Sequence, residues 1–217
     1  MRRALLLTTG VAWLALAGAA NAAMVKLGPE GPADPQYFAA LAAGQSDFTV
    51  GTTVWSGTGL TEKGTVQGQY AAPLGMGNTT YMAVQNGKTE TATFATPQTS
   101  LSIYWGSIDA ANVDGILNQI AITVDGYTLT GSQLVTMGAI GNGDQSSPKN
   151  NEWVTITELA PFTTVSFSDS GKNAFEFSLG SAVPEPSTWA MMALGFAGLG
   201  YAAFRRNSKK GQVALAI

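Results

Sequence analysis

The side chains that could do chemistry in this sequence are carboxylates, amides and aromatic rings, because its 217 residues include no cysteine and no histidine. Without histidine there is no Ser-His-Asp triad, and without cysteine there is no thiolate nucleophile, zinc-thiolate site or disulfide. An enzyme built from the remaining groups would use paired carboxylates, as in a glycoside hydrolase. A binding protein would stack sugar rings on tryptophan or coordinate calcium through oxygen ligands.

The candidates for a hydrolytic pair are three glutamates on predicted strands, Glu90, Glu152 and Glu176. No spacing in the sequence pairs two of them. Phe175 and Phe177 flank Glu176 in an alternation that points its carboxylate to solvent. We therefore expect three solvated glutamates, no catalytic residues and no enzyme.

Trp105 is predicted to lie in the core, because it shares the alternation of Leu101 and Ile103. Asp109 and Asn112 then organise the turn behind it. The alternative is that Trp105 stacks on a sugar ring whose hydroxyls these polar groups bind. The alternation favours the core position.

Four other residues are weaker candidates for ligand contact. Trp55 and Trp153 could each stack on an exopolysaccharide or pack within the sheet, and packing is the favoured option. Asn142 and Asp144, in a Gly-Asn-Gly-Asp loop, could bind calcium. Because that loop lacks the spaced acidic set of an EF-hand, ordinary turn chemistry is the alternative, and no cofactor is expected.

Short alternating runs between turn residues predict the elements that position these groups, in an all-β domain over residues 23–182. Asp125 and Gly126 predict a two-residue hairpin, and about ten strands at this spacing favour a two-sheet β-sandwich or jelly-roll-like domain. A short N-terminal helix is predicted to begin near Asp34 and Pro35. The predicted strands cover residues 48–55, 65–71, 80–84, 90–95, 101–105, 120–124, 152–157, 163–168 and 174–179, with a linker at 180–187.

This domain contains five lysines and thirteen acidic residues, which gives it a net charge of −8. Such a surface disfavours nucleic acid as a partner and leaves neutral glycans and divalent cations open.

Both ends of the chain are predicted targeting segments. Arg2 and Arg3, an apolar run over residues 4–20 and a small-x-small site ending at Ala22 predict a signal peptide over residues 1–22. At the other end a proline-rich segment, residues 183–187, precedes an uncharged run over residues 188–204 that is long enough for a membrane helix. Arg205 and Arg206 open a basic cytoplasmic tail over residues 205–217.

The order Val183-Pro184-Glu185-Pro186, apolar helix and basic pair resembles the C-terminal signal of the PEP-CTERM proteins. The resemblance implies processing by the membrane protease exosortase. It also implies an inner-membrane precursor and delivery to the cell surface or extracellular matrix of a Gram-negative bacterium. A structural or adhesive role is expected. The alternatives are a carbohydrate-binding module for exopolysaccharide and, less favoured, a glycoside hydrolase.

Two internal segments resemble a subgroup of exosortase-dependent surface proteins. One is Trp-Gly-Ser-x-Asp-x-x-Asn, which begins at Trp105. The other is the late Ala-Phe-Glu-Phe strand, which begins at Ala174. The resemblance implies a β-sandwich on the cell surface and assigns no biochemical activity.

Overall fold

The computed structural model describes residues 23–31, 33–110, 120–124, 126–157, 159–171 and 174–184. Most of this part is β-strand, which confirms the all-β prediction. The predicted signal peptide, transmembrane helix and basic tail lie outside the described residues. Within the described part, no helix combines the length and apolar character needed to cross a membrane. The strands are β1 (Met24–Glu30), β2 (Phe48–Val50), β3 (Thr53–Gly57), β4 (Leu60–Glu62), β5 (Tyr81–Val84), β6 (Thr89–Gly106), β7 (Ile120–Val124), β8 (Tyr127–Thr130), β9 (Glu152–Thr157), β10 (Phe162–Asp169) and β11 (Phe175–Pro184).

The 18-residue strand β6 organises the sheet, because it pairs antiparallel with four other strands. Strands β10 and β9 pair in succession along one edge of β6, while β3 and β11 pair along the other. The remaining strands extend the sheet outward: β5 and then β4 beyond β11, β7 and then β8 beyond β10, β1 beyond β9, and β2 beyond β3. All eleven strands are therefore connected by hydrogen bonds in one sheet.

This sheet folds back on itself. Trp55 pairs with Ala92 on β6 and Phe177 pairs with Trp105, thirteen residues further along. At about 3.3 Å per residue, a straight strand would separate these positions by roughly 43 Å. The Trp55 and Phe177 ring centroids are nevertheless only 6.3 Å apart. The predicted two separate sheets are therefore replaced by two halves of one bent sheet, with Pro97, which has no N–H to donate, between them.

Aromatic rings fill the space between the two halves. Trp55 is fully buried and stacks on Phe48 and Phe167, with centroids 5.8 Å apart in each pair. Phe167 stacks in turn on Phe177 at 4.1 Å. This cluster is the main core of the fold, which has no disulfides because the chain has no cysteine.

A second, smaller core covers the other face of the central strands. It consists of Met76, Tyr81, Ala83 and Tyr104, which are all buried. Since β5, β11 and the second half of β6 are covered on both faces, neighbouring side chains on these strands are buried regardless of alternation. An in-and-out pattern therefore does not predict exposure here.

The predicted N-terminal helix is not present at its expected place. The chain after Asp34 forms turns, in which Ala39 donates to Gln36 and Leu41 donates to Phe38 through their backbone N–H groups. Phe38 is fully buried and packs edge-on against Trp55. This anchor holds the segment in the aromatic core. In the described residues the α-helix is α1 (Gly131–Thr136), with a capping box at Thr130, and a 3-10 turn covers Pro148–Asn150.

Two short local predictions have opposite outcomes. The two-residue hairpin is confirmed, because Val124 pairs with Tyr127 and Gly126 has a φ of +76°. The predicted strand over residues 65–71 is wrong. There a single bridge joins Val66 to Tyr70 around a tight turn, and this loop packs over the sheet instead of extending it.

The predicted linker over residues 180–187 is corrected at its start. Ser181, Ala182, Val183 and Pro184 belong to β11 and pair with β6. Because β11 lies between β5 and β6, it is an interior strand of the sheet. The residues after Pro184 lie outside the described part of the chain.

Candidate functional site

A polar pocket of about 270 Å³ lies where the end of β6 meets the start of β11. Both segments that the sequence analysis singled out contribute to it, one with Ser107 and Asp109 and the other with Ala174 and Glu176. The remaining described lining residues come from two loops and are Gly68, Gln69, Tyr70, Ala71, Gly143 and Gln145. The pocket is therefore built around two segments that are almost 70 residues apart in the chain.

Strand register brings these two segments together. Glu176 on β11 pairs with Gly106 on β6, so Ser107 follows directly beside it. Ser107 has a φ of +41° and is the one non-glycine residue with positive φ among the described residues. This left-handed turn directs the chain out of β6. The Ser107 hydroxyl group donates a hydrogen bond to Glu176.

The carboxyl group of Glu176 is buried, although the sequence predicted that it points to solvent. Its Oε1 accepts a hydrogen bond from the N–H of Ala71 at 2.7 Å, and its Oε2 accepts one from Oγ of Ser107 at 2.8 Å. The loop carrying Ala71 covers this face of β11, which is why alternation failed. Burial raises the pKa of Glu176 to about 8 although both hydrogen bonds lower it, so the group keeps its proton at neutral pH.

Asp109, the second carboxyl group of the pocket, is 3% exposed. The backbone of Asp109 forms an isolated β-bridge with that of Asn142. The negative charge of Asp109 contributes to raising the pKa of Glu176. Glycines leave room for it: an added Cβ at Gly143 would lie 2.3 Å from Oδ1 of Asp109, and one at Gly131 would lie 1.9 Å from its carbonyl oxygen. The turn containing Asp109 is therefore closely packed against the backbone at Gly131 and Gly143.

Replacing Gly131 with alanine is expected to destabilise this wall of the pocket. The new Cβ would collide with the Asp109 carbonyl, a backbone atom that cannot rotate away, so we expect a loss of roughly 2–3 kcal/mol of unfolding free energy. Urea denaturation followed by circular dichroism measures the effect. Gly77→Ala is the matched control, because an added Cβ there meets no atom within 4 Å. Equal stability of the two variants would contradict the close packing.

The other two predicted glutamates are also buried and do not line this pocket. Glu90 is fully buried, and its Oε2 accepts a hydrogen bond from Gly59 N–H while Oε1 has no partner. Burial raises the pKa of Glu90 to about 8. Glu152 is 2% exposed, opposite Trp105 on β6. The expectation of three solvated glutamates is therefore wrong.

The tryptophans occupy different environments. Trp105 is fully buried and packs on Phe175, which confirms its predicted core position. Trp55 is fully buried as well, so of its two options the structure has packing in the core, and its ring face is not accessible to a sugar. Trp153 is half-buried, tilted 47° against Tyr104, with Gly180 beside its ring. Asn112 lies outside the described residues.

The Oδ1 atom of each calcium candidate accepts hydrogen bonds from its own loop. Asn142 Oδ1 accepts hydrogen bonds from Asp144 N–H and from Asn150 Nδ2. Asp144 Oδ1 accepts them from the hydroxyl and N–H of Ser146, and these lower the pKa of Asp144. No group of three or more acidic side chains that could hold a metal occurs among the described residues. This geometry is that of a turn.

Sequence reasoning did not select Gln69, Tyr70 or Gln145. These residues lie in two loops, where polar residues are common, and nothing local to the sequence joins those loops to each other. The usable signal was the pair of segments around Asp109 and Glu176. Each places a carboxylate beside a predicted core aromatic residue.

The second candidate region is the C-terminal sorting segment. Val183 and Pro184 form the end of β11, whereas Glu185, Pro186, Arg205 and Arg206 lie outside the described residues. A family model for the PEP-CTERM protein-sorting motif matches residues 182–207, which confirms the resemblance seen in the sequence. No curated protein and no solved structure matches the chain. The motif implies export, a membrane-anchored precursor and processing by exosortase.

Proposed function

We propose that this chain is a cell-surface or extracellular-matrix protein of a Gram-negative bacterium, released from its membrane anchor by exosortase, with a structural or adhesive role. The observation that supports this most is the sorting motif at residues 182–207, which overlaps the last three residues of β11. The folded sheet is therefore the part that the sorting signal delivers.

The position of the folded part between the two predicted processing sites supports the proposal. Strand β1 begins at Met24, two residues after the predicted signal-peptide cleavage at Ala22, and β11 ends at Pro184. The sheet thus spans nearly all of the predicted mature chain. A structural role needs such a self-contained body, and here an aromatic core holds it together without disulfides.

We assign no catalytic role to the buried carboxyl groups. The pocket holds two carboxyl groups, those of Glu176 and Asp109, but both oxygens of Glu176 already accept hydrogen bonds from protein donors. A glycosidase needs two carboxyl groups that reach the same bond in a substrate cleft. This arrangement supports a non-catalytic protein.

Replacing both Pro184 and Pro186 with alanine tests the delivery step. The two prolines keep the motif extended and short of backbone donors, so we expect the variant to accumulate as uncleaved precursor in the inner membrane. Cell fractionation with immunoblotting measures precursor and processed forms. Pro161→Ala, in an exposed loop, is the control and should be processed normally. Normal processing of the double variant would refute exosortase sorting through this motif.

A further inference from the structure

The pocket between Glu176 and Asp109 has the size and chemistry of a sugar site. Neither sorting by the C-terminal motif nor packing of the core explains why such a pocket is present. We propose that it binds a neutral, hydroxyl-rich ligand of about one monosaccharide, such as a single unit of a glycan. This goes beyond surface delivery and does not depend on exosortase. The proposed sugar site does not involve Trp55, which is buried.

The volume limits the ligand. At roughly 30 Å³ per water molecule, the pocket of 270 Å³ holds the equivalent of about nine waters. That is below the range of about 300–1,000 Å³ typical of sites for drug-sized molecules. One sugar ring with its hydroxyls fits this space, and a longer chain would extend out of it.

The lining matches hydroxyl groups, which both donate and accept hydrogen bonds. Gln69 and Gln145 lie on different loops, and each exposed amide supplies donors and an acceptor. The carboxyl groups of Asp109 and Glu176 and the hydroxyl of Ser107 add further polar groups, while Tyr70 supplies an aromatic ring for C–H contact.

Charged ligands fit this lining less well. None of the described lining residues is lysine or arginine, and the acidic residue Asp109 is present, which disfavours anions. A metal ion would compete with the Ala71 N–H and the Ser107 hydroxyl for the oxygens of Glu176, and no third carboxylate joins the site among the described residues. A neutral polyol requires neither a counter-charge nor the loss of these bonds.

The pocket is also preformed. Glu176 is fixed in an interior strand, and Ser107 is held by its hydrogen bonds to Glu176 and to Asn151 Oδ1. Groups that are already ordered lose little conformational freedom when a ligand binds. The interior strand and its neighbours therefore act as the rigid side of the site, and the two glutamine loops form the adaptable side.

Saturation-transfer NMR on the full-length protein in detergent micelles tests the proposal, because it detects weak ligands of large particles. The probes are glucose, galactose, mannose and N-acetylglucosamine, each also as its methyl glycoside. At least one sugar should receive saturation from the protein. Binding of the methyl glycoside would identify a glycan terminus as the source, whereas binding of only the reducing sugar would identify a free sugar.

Alanine at Gln69 and at Gln145 locates the site. The loop bonds of both residues are made by their backbones, to Val66 and Asn151, so alanine leaves these bonds in place. Each variant should weaken binding roughly 3- to 10-fold, the equivalent of one lost hydrogen bond. Gln67→Ala is the matched control, since Gln67 is exposed in the same loop as Gln69 and does not line the pocket.

Three results would overturn the proposal. The first is that no sugar receives saturation from the unmodified protein. The second is that Gln67→Ala weakens binding as much as Gln69→Ala does. The third is that calcium alone shifts the thermal midpoint and Gln145→Ala abolishes that shift, which would identify a cation site. Normal export of every variant would leave the proposed sorting unaffected, so the two proposals fail separately.

Discussion

Replacing Trp55 with alanine is expected to lower the free energy of unfolding by about 3–5 kcal/mol, the range for removing a large aromatic side chain from a core. Trp55 is fully buried, and its ring packs against aromatic rings from both halves of the bent sheet. Its indole N–H also donates to the hydroxyl group of Tyr37 at 3.4 Å. Urea denaturation, followed by far-ultraviolet circular dichroism, measures the loss through the midpoint.

Trp153→Ala is the matched control for this experiment. The same atoms are removed, but Trp153 is half-buried and lies at the smaller core beside Tyr104. Its loss should be clearly smaller, about 1–2 kcal/mol, because less apolar area returns to water. If Trp153→Ala were the more damaging change, the aromatic cluster around Trp55 would not be the main core.

Local patterns predicted the strands well where pairing follows from neighbouring residues. Residues 152–157 match β9 in full, and the Asp125-Gly126 pair correctly placed the hairpin between β7 and β8. The bend of β6 could not be predicted, because it depends on contacts such as that between Phe167 and Phe177, which pair with opposite ends of β6. The helix expected near Asp34 failed for the same reason, since Phe38 is drawn into that distant aromatic core.

Only part of the candidate site could be predicted from the sequence. The two segments around Asp109 and Glu176 were noticed in the sequence, but their contact depends on the register between β6 and β11. The exposure of Glu176 was predicted wrongly, because alternation assumes one covered face, and the loop at Ala71 covers the other. Covering by a distant loop has no local signature in the sequence.

Stability of the folded sheet is expected to fall as the pH rises from about 5 to 8. Burial raises the pKa of both Glu176 and Glu90 from an ordinary 4.5 to about 8, and that of Asp169 from 3.8 to about 6. Above pH 4.5 the unfolded chain releases these protons while the native protein retains them. Each glutamate therefore lowers the free energy of unfolding as the pH rises, until its native pKa is reached, after which its contribution is constant.

Glutamine substitutions isolate this effect. Glu176→Gln keeps an oxygen that can accept from Ala71 N–H but removes the titrating proton, so its urea midpoint should change less between pH 5 and pH 8 than that of the parent protein. At pH 8 the variant should gain stability relative to the parent protein, because burial of the Glu176 carboxyl group destabilises the parent most at high pH. Glu62→Gln, on the half-exposed edge strand β4, makes the same substitution outside the buried sites and is the control. Parent stability that rises from pH 5 to pH 8 would mean that these carboxyl groups ionise freely in the folded protein, and burial would not control their protons.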